Sequence, residues 1–294
     1  MAARAARPHR RLLPWRSTTG VALAVAAVLA APGSAHPATP LGAEVPDGGD
    51  WGTVLADGGP LQADAWVARV RGLGGVADTA LFETHHPATA KAPHEQGGGD
   101  RLADLAPGGF GIGAGSLLFS RALGDARPAS PASEQTVKAP GSAFAEAGGA
   151  SVSVGLPYLA NPTGGVQLSP IGVHVDGVTV SALASPGKPV AFSGGVTGGY
   201  FSLAGEPVVT VPKLWPTNFG VRLPADYTRQ AIALAVTNEQ VTTDTSGRPT
   251  RGADGGYKFD PKATSGYVNA VHVSLLGTQV ADVTVGHAAV LRKA

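Results

Sequence analysis

Histidines beside carboxylates are the first residues in this sequence that could do chemistry. His85, His86, His94 and Glu95 lie in one short segment, and imidazole and carboxylate groups are common metal ligands. A metal site needs a fixed geometry, however, and this segment is rich in Pro, Ala and Gly. We therefore interpret these histidines as solvated loop residues and predict no metal and no cofactor. Adventitious binding of a transition metal through imidazole stays open as the alternative.

Dispersed histidines offer a second route to chemistry. The chain contains no Gly-x-Ser-x-Gly sequence, but a Ser-His-Asp triad need not be local, so His174, His272 and His287 remain candidate bases. Asn269 and His272 are three residues apart in a predicted strand. Because side chains alternate between the faces of a strand, these two are expected on opposite faces unless a bulge intervenes. We expect structural roles for both and predict no catalytic residue.

Carboxylates in a glycine-rich loop are a third candidate, because such loops can bind Ca²⁺ through oxygen atoms. The segment 244–260 carries Asp244, Asp254 and Asp260 between two predicted strands. Its spacing matches no EF-hand or nonapeptide calcium repeat. We predict a long hydrated hairpin loop there, and whether it binds calcium stays open.

Trp215 and Tyr227 are the aromatic candidates for ligand binding, because they lie among prolines and outside the periodic strands. Exposed rings can stack on sugars, although aromatic side chains more often fill a core. Both readings are kept for these two residues.

The triplet Asn238-Glu239-Gln240 follows the apolar predicted strand at 231–236. We predict a structural junction at the end of that strand, where amide side chains satisfy backbone groups that the sheet leaves unpaired. On this interpretation Asn238→Ala costs about 1–3 kcal/mol, and Glu239→Gln is nearly neutral.

The elements that position these residues are predicted to be β-strands, because the chain shows period-two alternation and no convincing helix. Segments 87–100 and 126–141 are predicted loops. The predicted strands cover 63–71, 109–119, 151–154, 173–180, 190–192, 208–211, 231–241, 267–276 and 280–291. The last two form a predicted hairpin around Gly277 and Thr278. Turn-separated strands at this spacing favour an antiparallel β-sandwich, or a partly open barrel, over βαβ units.

The composition agrees with an all-β fold with Gly/Pro-rich loops. The chain has 42 Gly and 24 Pro with a hydrophobic fraction of 43%, the profile of short strands joined by many turns. It has no cysteine, so stability must come from sheet packing rather than from disulfides.

The first 35 residues have the pattern of a secretory signal peptide. Five arginines precede an apolar run at 21–31, and small residues lead to a cleavage point expected after Ala35. The run is shorter than the roughly 20 residues of a spanning helix. We predict a signal peptide at 1–35, a flexible tether at 36–50 and a single secreted domain at 51–294, with a possible sub-boundary at 126–141. Arg10-Arg11 leaves Sec and Tat export both open.

Loss of this leader changes the charge of the chain. Of the 22 basic and 21 acidic residues, five arginines and no acid lie in the leader, so the mature protein carries a net charge of −4. A mildly acidic protein argues against nucleic-acid binding, which requires a basic stripe, and against docking on anionic lipid.

Three segments near the C-terminus resemble a known family. They are Asn238-Glu239-Gln240, then Val268-Asn269-Ala270-Val271-His272-Val273, then Asp282-Val283-Thr284-Val285-Gly286-His287-Ala288. In this order they resemble the choice-of-anchor P family of secreted actinobacterial proteins, over about residues 143–290 and more loosely over 63–121. The resemblance implies a signal peptide, a β domain and a secreted or surface location without an assigned biochemical role. Relatives often carry cysteines, and this chain has none.

Together these patterns predict a secreted or cell-surface β-sandwich and favour a non-enzymatic binding module for an unidentified extracellular or cell-wall ligand over an enzyme. Candidate binding or structural residues are Trp215, Tyr227, Asn238, Glu239, Gln240, Asn269, His272 and His287. The alternatives are a structural envelope protein and a secreted polysaccharide hydrolase with a carboxylate pair. That pair would come from Asp176, Glu206, Asp226, Glu239 and Asp260. The sequence specifies neither the ligand nor the oligomeric state.

Overall fold

The computed structural model describes residues 59–72, 79–89, 93–103, 111–130, 133, 135–158, 171–211, 217–223, 233–253, 257–275 and 281–293. The leader, the tether and the candidates Trp215, Tyr227 and Asp226 lie outside the described residues, so what was predicted of them stays a prediction. Within the described ranges, no helix is long and apolar enough to cross a membrane.

The regular elements of the described ranges are fourteen β-strands. In chain order they are β1 (Leu61–Gly72), β2 (Thr79–Leu81), β3 (Thr84–His86), β4 (Glu95–Ala103), β5 (Gly111–Pro128), β6 (Thr136–Tyr158), β7 (Ile171–Ala184), β8 (Ala191–Gly195), β9 (Gly198–Leu203), β10 (Glu206–Thr210), β11 (Phe219–Leu223), β12 (Ala233–Thr243), β13 (Ser265–Leu275) and β14 (Ala281–Arg292).

These strands form two antiparallel sheets of seven strands each. The first sheet has the order β11-β12-β13-β14-β1-β2, with β3 also beside β1. The second has the order β10-β9-β7-β6-β5-β4, with β8 beside β7. Strands β1, β13 and β14 pack against β5, β6 and β7. The predicted antiparallel β-sandwich is confirmed, and neither sheet closes into a barrel within the described ranges.

Small apolar side chains fill the space between the sheets. The inner face of β14 contributes Val283, Val285, Ala288 and Val290, and the other central strands likewise contribute mainly alanine and valine. Alternation of such residues with polar ones is the pattern that predicted these strands. The inner faces of the two sheets therefore form the core, and the candidate site residues lie on the outer faces.

The alternation of side chains is interrupted in one row of the first sheet. That row contains Asn238 in β12, Ala270 in β13, Gly286 in β14 and Val67 in β1, and the pairing register is the same on both sides of it. Asn238 and Gly286 have φ angles of 49° and 61°, in the left-handed region that few residues adopt. Across this row, side chains three residues apart share a face.

The second sheet has the same kind of interruption. Leu117 in β5 and Gly177 in β7 have φ angles of 51° and 55°, and Ala150 of β6 lies in the row between them. Buried Val175 and Val178 are consequently three residues apart on the inner face of β7. In both sheets the left-handed residues occur on alternate strands.

Two predicted loops are partly strand in the structure. In the segment 126–141, Ala126 pairs with Lys138 and Arg127 with Val137, so the ends of β5 and β6 continue into a hairpin. In the segment 87–100, β4 begins at Glu95 and pairs with β5. The loop predictions are wrong for these strand portions, because partner strands supply hydrogen bonds that local alternation did not indicate.

Candidate functional site

One row of side chains crosses four strands on the outer face of the first sheet. Glu239 pairs with Asn269, Asn269 with His287, and His287 with Trp66. Directly opposed residues of antiparallel strands point to the same side of a sheet, so these four side chains are neighbours. All four are buried.

Hydrogen bonds connect this row to His272 and Asp282. Glu239 Oε2 accepts from Asn269 Nδ2 at 2.6 Å and from His272 Nδ1 at 3.0 Å. His272 Nε2 donates to Asp282 Oδ1 at 2.6 Å. The imidazole of His272 thus lies between two carboxylates, with a hydrogen bond at each ring nitrogen. We call this group the Glu239–His272–Asp282 cluster.

The shared contact with Glu239 contradicts the prediction that Asn269 and His272 lie on opposite faces. That prediction is wrong because the interrupted row passes through Ala270, between the two residues, and shifts the alternation by one. The sequence prediction allowed a bulge as an exception, and the interrupted row has the effect of a bulge in β13.

The triplet Asn238-Glu239-Gln240 lies in the interior of β12, not at its end, so the predicted junction is also wrong. Asn238 occupies the left-handed position of the interrupted row, which Asn tolerates better than most residues. Its Oδ1 accepts from Gln240 Nε2 at 3.0 Å, and the Gln240 backbone N–H donates to Asn218 Oδ1 at 2.7 Å. The flanking amides therefore stabilise the irregular backbone, and Glu239 faces the buried cluster.

The Glu239–His272–Asp282 cluster holds formal charges in a buried environment. Burial lowers the pKa of His272, but the attraction of Glu239 and the contacts with Asp282 outweigh it and raise the pKa to about 10. Burial raises the pKa of Glu239, whereas attraction by His272 and the hydrogen bonds from His272 and Asn269 produce a net lowering. At neutral pH His272 is therefore an imidazolium paired with the Glu239 carboxylate.

His287 is the neutral member of the row. Burial and the positive charges of Arg69, Arg71 and His272 hold its pKa well below its usual value. Its Nδ1 lies 2.6 Å from Asn269 Oδ1, an acceptor, so Nδ1 carries the proton. The ring stacks on Trp66 at a centroid distance of 3.6 Å, and Trp66 Nε1 donates to Thr284 Oγ1 at 2.8 Å.

This network is closed to solvent. Within the described residues, Glu239 Oε1 and His287 Nε2 are buried without a hydrogen-bond partner, while the other polar atoms of the row are used within the network. A buried charge that keeps its partners fixes the strands that carry them, because separating them leaves an uncompensated charge. The arrangement fits a structural role better than turnover of a substrate.

A second cluster lies on the same face at the edge strand β3. His85 pairs with Asp64 of β1; its Nδ1 lies 3.0 Å from Asp64 Oδ1, and its Nε2 lies 3.1 Å from Glu83 Oε1. Burial lowers the pKa of His85, but Asp64 and Glu83 together raise it to about 10. Burial raises the pKa of Asp64 despite the contact with His85. We call this group the Asp64–Glu83–His85 cluster.

The prediction of solvated loop histidines is therefore wrong for His85, which is buried in a strand. His86 is half-buried and His94 is exposed, and their rings lie 5.4 Å apart. His86 and His94 thus lie together near the surface, and they are not members of the Asp64–Glu83–His85 cluster.

A third group lies on the outer face of the second sheet. Ser153 Oγ is 2.7 Å from His174 Nδ1, and His174 Nε2 is 3.1 Å from Asp176 Oδ1. The Tyr200 ring stacks on His174 at 5.0 Å. The side chains of His174 and Asp176 are 24% and 51% exposed, so this group meets solvent. We call Ser153, His174, Asp176 and Tyr200 the Tyr200 patch.

The loop between β12 and β13 uses its described carboxylates locally. Asp244 Oδ1 accepts from the backbone N–H groups of Ser246 and Arg248 at 2.8 and 3.0 Å. Asp260 Oδ1 accepts from the backbone N–H of Lys262 at 2.9 Å. These are turn-forming hydrogen bonds, whereas Asp254 lies outside the described residues.

Sequence reasoning did not single out Asp64, Glu83, Ser153, Tyr200 or Asp282. Each belongs to a group whose members come from different strands or turns, so no local motif marks it. A sequence feature that could have indicated these residues is a polar residue between two apolar residues of a predicted strand, as Asp64 lies between Ala63 and Ala65.

Comparisons with known proteins gave no match to any family model, any curated protein or any solved structure.

Proposed function

We propose that this chain is a secreted or cell-surface β-sandwich protein that binds a hydroxyl-rich polymer of the cell envelope through the Tyr200 patch and has no enzymatic activity. The observation that carries the proposal is the partial exposure of this patch on a sheet face. The other two clusters are largely buried and offer a polymer no comparable surface.

The patch combines the groups that sugar recognition requires. Tyr200 and His174 supply stacked rings, and an aromatic ring presents an apolar face to a sugar. Asp176 supplies a carboxylate acceptor, and Ser153 supplies a hydroxyl that can both donate and accept. The neighbouring hydroxyls of Ser116 and Ser151 lie 3.0 Å apart and extend the polar surface along the same face.

Export is part of the proposal and rests on the sequence. The leader pattern at 1–35 and the resemblance to the choice-of-anchor P family support it, and N-terminal sequencing of the protein from culture fluid or cell surface tests it. A first residue near His36 is expected, and an intact Met1 in the exported fraction would contradict it.

Binding is tested by sedimentation with insoluble cell-wall polysaccharide. Tyr200→Ala should weaken retention about tenfold, since loss of a central aromatic contact costs more than 1 kcal/mol. Phe259→Ala is the matched control, because Phe259 is an exposed aromatic residue on the β12–β13 loop, away from the patch. Equal retention of wild type and a folded Tyr200→Ala variant would overturn the proposal.

A serine hydrolase is the second candidate, because the patch has the hydrogen-bond order of a Ser-His-Asp triad. His174 can take the proton of Ser153 at one ring nitrogen while Asp176 orients the other. We prefer this candidate to the predicted hydrolase with a carboxylate pair that includes Glu239, because Glu239 is buried against His272.

An active-site fluorophosphonate probe separates the two candidates. The hydrolase reading requires labelling of wild type that Ser153→Ala abolishes and Ser151→Ala preserves, since Ser151 lies on the same strand but contacts Ser116 instead. The binding reading predicts no labelling, and it predicts that Ser153→Ala weakens polysaccharide retention less than Tyr200→Ala does, because only one hydroxyl contact is removed.

A further inference from the structure

The Asp64–Glu83–His85 cluster places three metal-binding groups together at the edge of the first sheet. One ligand atom from each residue lies within 4.8 Å of the others. Asp64 and His85 are buried, and Glu83 is partly exposed. Asp64 and His85 come from paired strands, so the sheet fixes their positions, and Glu83 lies in the connection just before β3.

The two ring nitrogens of His85 have different surroundings. Nε2 faces the Glu83 carboxylate at 3.1 Å. Nδ1 lies 3.0 Å from Asp64 Oδ1, but neither of these two atoms has a hydrogen bond of acceptable geometry. A buried polar pair this close without an aligned hydrogen bond is costly and is the arrangement of two ligands that face a shared cation.

A third buried polar atom lies on the same face of the sheet. Gln62 is two residues before Asp64 on the outer face of β1, and it is fully buried. Its Nε2 donates to the Gly59 carbonyl at 3.2 Å, whereas its Oε1 has no hydrogen-bond partner within the described residues. Gln62 Oε1, Asp64 Oδ1 and His85 Nδ1 thus lie on one face of the sheet without an aligned hydrogen bond, and the last two are 3.0 Å apart.

We propose that Asp64 Oδ1 and His85 Nδ1 are ligands of a divalent transition-metal ion, of which Zn²⁺ is the best match, and that Glu83 orients the ring from Nε2. Histidine ligands usually donate their second ring N–H to a carboxylate, which fixes the tautomer. Here Glu83 is already in that position, and the metal ion takes the place of a proton on Nδ1.

The distances and donor types agree with this ion. Zinc binds His nitrogen and carboxylate oxygen at about 2.0–2.2 Å, so ligands of a tetrahedral site are about 3.4 Å apart. The 3.0 Å between Asp64 Oδ1 and His85 Nδ1 requires a shift of a few tenths of an ångström. A mixed nitrogen and oxygen set selects transition metals over Ca²⁺ or Mg²⁺, which prefer oxygen alone. This site is independent of the Tyr200 patch.

Isothermal titration of chelator-treated full-length protein with Zn²⁺ tests the proposal. Wild type should bind one ion per chain in a saturable step that raises Tm, and Mg²⁺ should do neither. His85→Gln and Asp64→Asn should abolish this step. His94→Ala should preserve it, since His94 belongs to the surface pair with His86 and controls for adventitious binding.

Glu83→Gln keeps both ligands and a partly exposed side chain, so it remains informative if the buried variants fail to fold. It should weaken zinc affinity by roughly 10–100-fold, the usual effect of losing such a partner. Absence of saturable zinc binding by wild type would overturn the proposal. Unchanged affinity in Glu83→Gln, or loss of the step in His94→Ala, would do so as well.

Discussion

His272 and His85 each lie between two carboxylates on the same face of the same sheet, but their surroundings differ in one respect. In the Glu239–His272–Asp282 cluster both ring nitrogens donate aligned hydrogen bonds. In the Asp64–Glu83–His85 cluster the Nδ1 atom has no aligned bond. The first arrangement uses both ring nitrogens of its histidine to stabilise a charge, and the second leaves one ring nitrogen without an aligned hydrogen bond.

The pKa values of Glu239 and Asp64 also differ between the two clusters. The pKa of Glu239 is lowered because the contacts of its cluster outweigh burial. The pKa of Asp64 is raised because burial outweighs its contacts. Both carboxylates lie in interior strands, so the contrast comes from their contacts: Glu239 accepts aligned hydrogen bonds from Asn269 and His272, whereas Asp64 Oδ1 has no aligned hydrogen bond.

Removal of His272 should have the largest effect on stability. His272→Ala leaves Glu239 and Asp282 buried without their shared cation, which typically costs about 3–5 kcal/mol. His85→Ala should cost less, about 1–2 kcal/mol, because Asp64 is more easily protonated and Glu83 reaches solvent. Urea denaturation measures both.

His174→Ala is the control for these two variants, because the partly exposed His174 should contribute less than about 1 kcal/mol. If His272→Ala and His174→Ala lost the same free energy of unfolding, the buried cluster would contribute no more to stability than a surface group, which would contradict this account.

The pH dependence of stability should be the next largest effect. The pKa of His272 is about 10 in the folded protein, above its ordinary value of about 6.5. The stabilisation is therefore complete below about pH 6.5 and is lost as the pH rises through about 10. Between pH 7 and 9 the free energy of unfolding should therefore fall as the pH rises, by roughly 1 kcal/mol per pH unit at most for His272.

His85 adds a second contribution of the same sign, since its pKa is also about 10. Zn²⁺ should remove only the part of the pH dependence that comes from His85, because a metal ion on Nδ1 replaces the titrating proton. Denaturation curves at several pH values, with and without Zn²⁺, resolve the two. A stability that rises from pH 7 to 9 would contradict both assignments.

Matched amide substitutions sharpen the comparison of the carboxylates. Glu239→Gln should cost about 2 kcal/mol, because it removes a charge-assisted acceptor for Asn269 and His272. Asp64→Asn without metal should lie within about 1 kcal/mol of wild type, because burial already disfavours the Asp64 charge. Thermal melts of the two variants check this, and a larger loss for Asp64→Asn would reverse the proposed roles.

Gly286→Ala tests the interrupted row. Gly286 has a φ of 61°, and an added Cβ would lie 3.1 Å from Val178 Cγ2, so we expect a loss of about 1–2 kcal/mol. Gly195→Ala is the matched control, because Gly195 has no neighbouring atom within 4 Å of an added Cβ. A melting temperature unchanged in Gly286→Ala would show that the row tolerates ordinary strand geometry.

The alternation of apolar residues was sufficient to predict the strands of the core. The segments 63–71 and 267–276 fall within β1 and close to the bounds of β13, because their inner faces bury alanine and valine at period two. The fold class follows from such segments, since each is decided by local burial.

The candidate sites could not be predicted in the same way. Asn269 and His272 share a face only because Asn238 and Gly286 take left-handed conformations two strands apart, and sequence alternation does not reveal φ. His85 lies beside Asp64 through strand pairing, and the Pro, Ala and Gly around it indicated a loop. Contacts between distant strands decided these sites.

The protonation and zinc response of the imidazole rings test the central claim most directly. Long-range ¹H–¹⁵N spectra of the wild-type protein at pH 8 should show His272 with both ring nitrogens protonated and unchanged by Zn²⁺. The same spectra should show Zn²⁺ shifting Nδ1 of His85. A neutral His272 at pH 8, or a Zn²⁺ response at His272 instead of His85, would contradict the account.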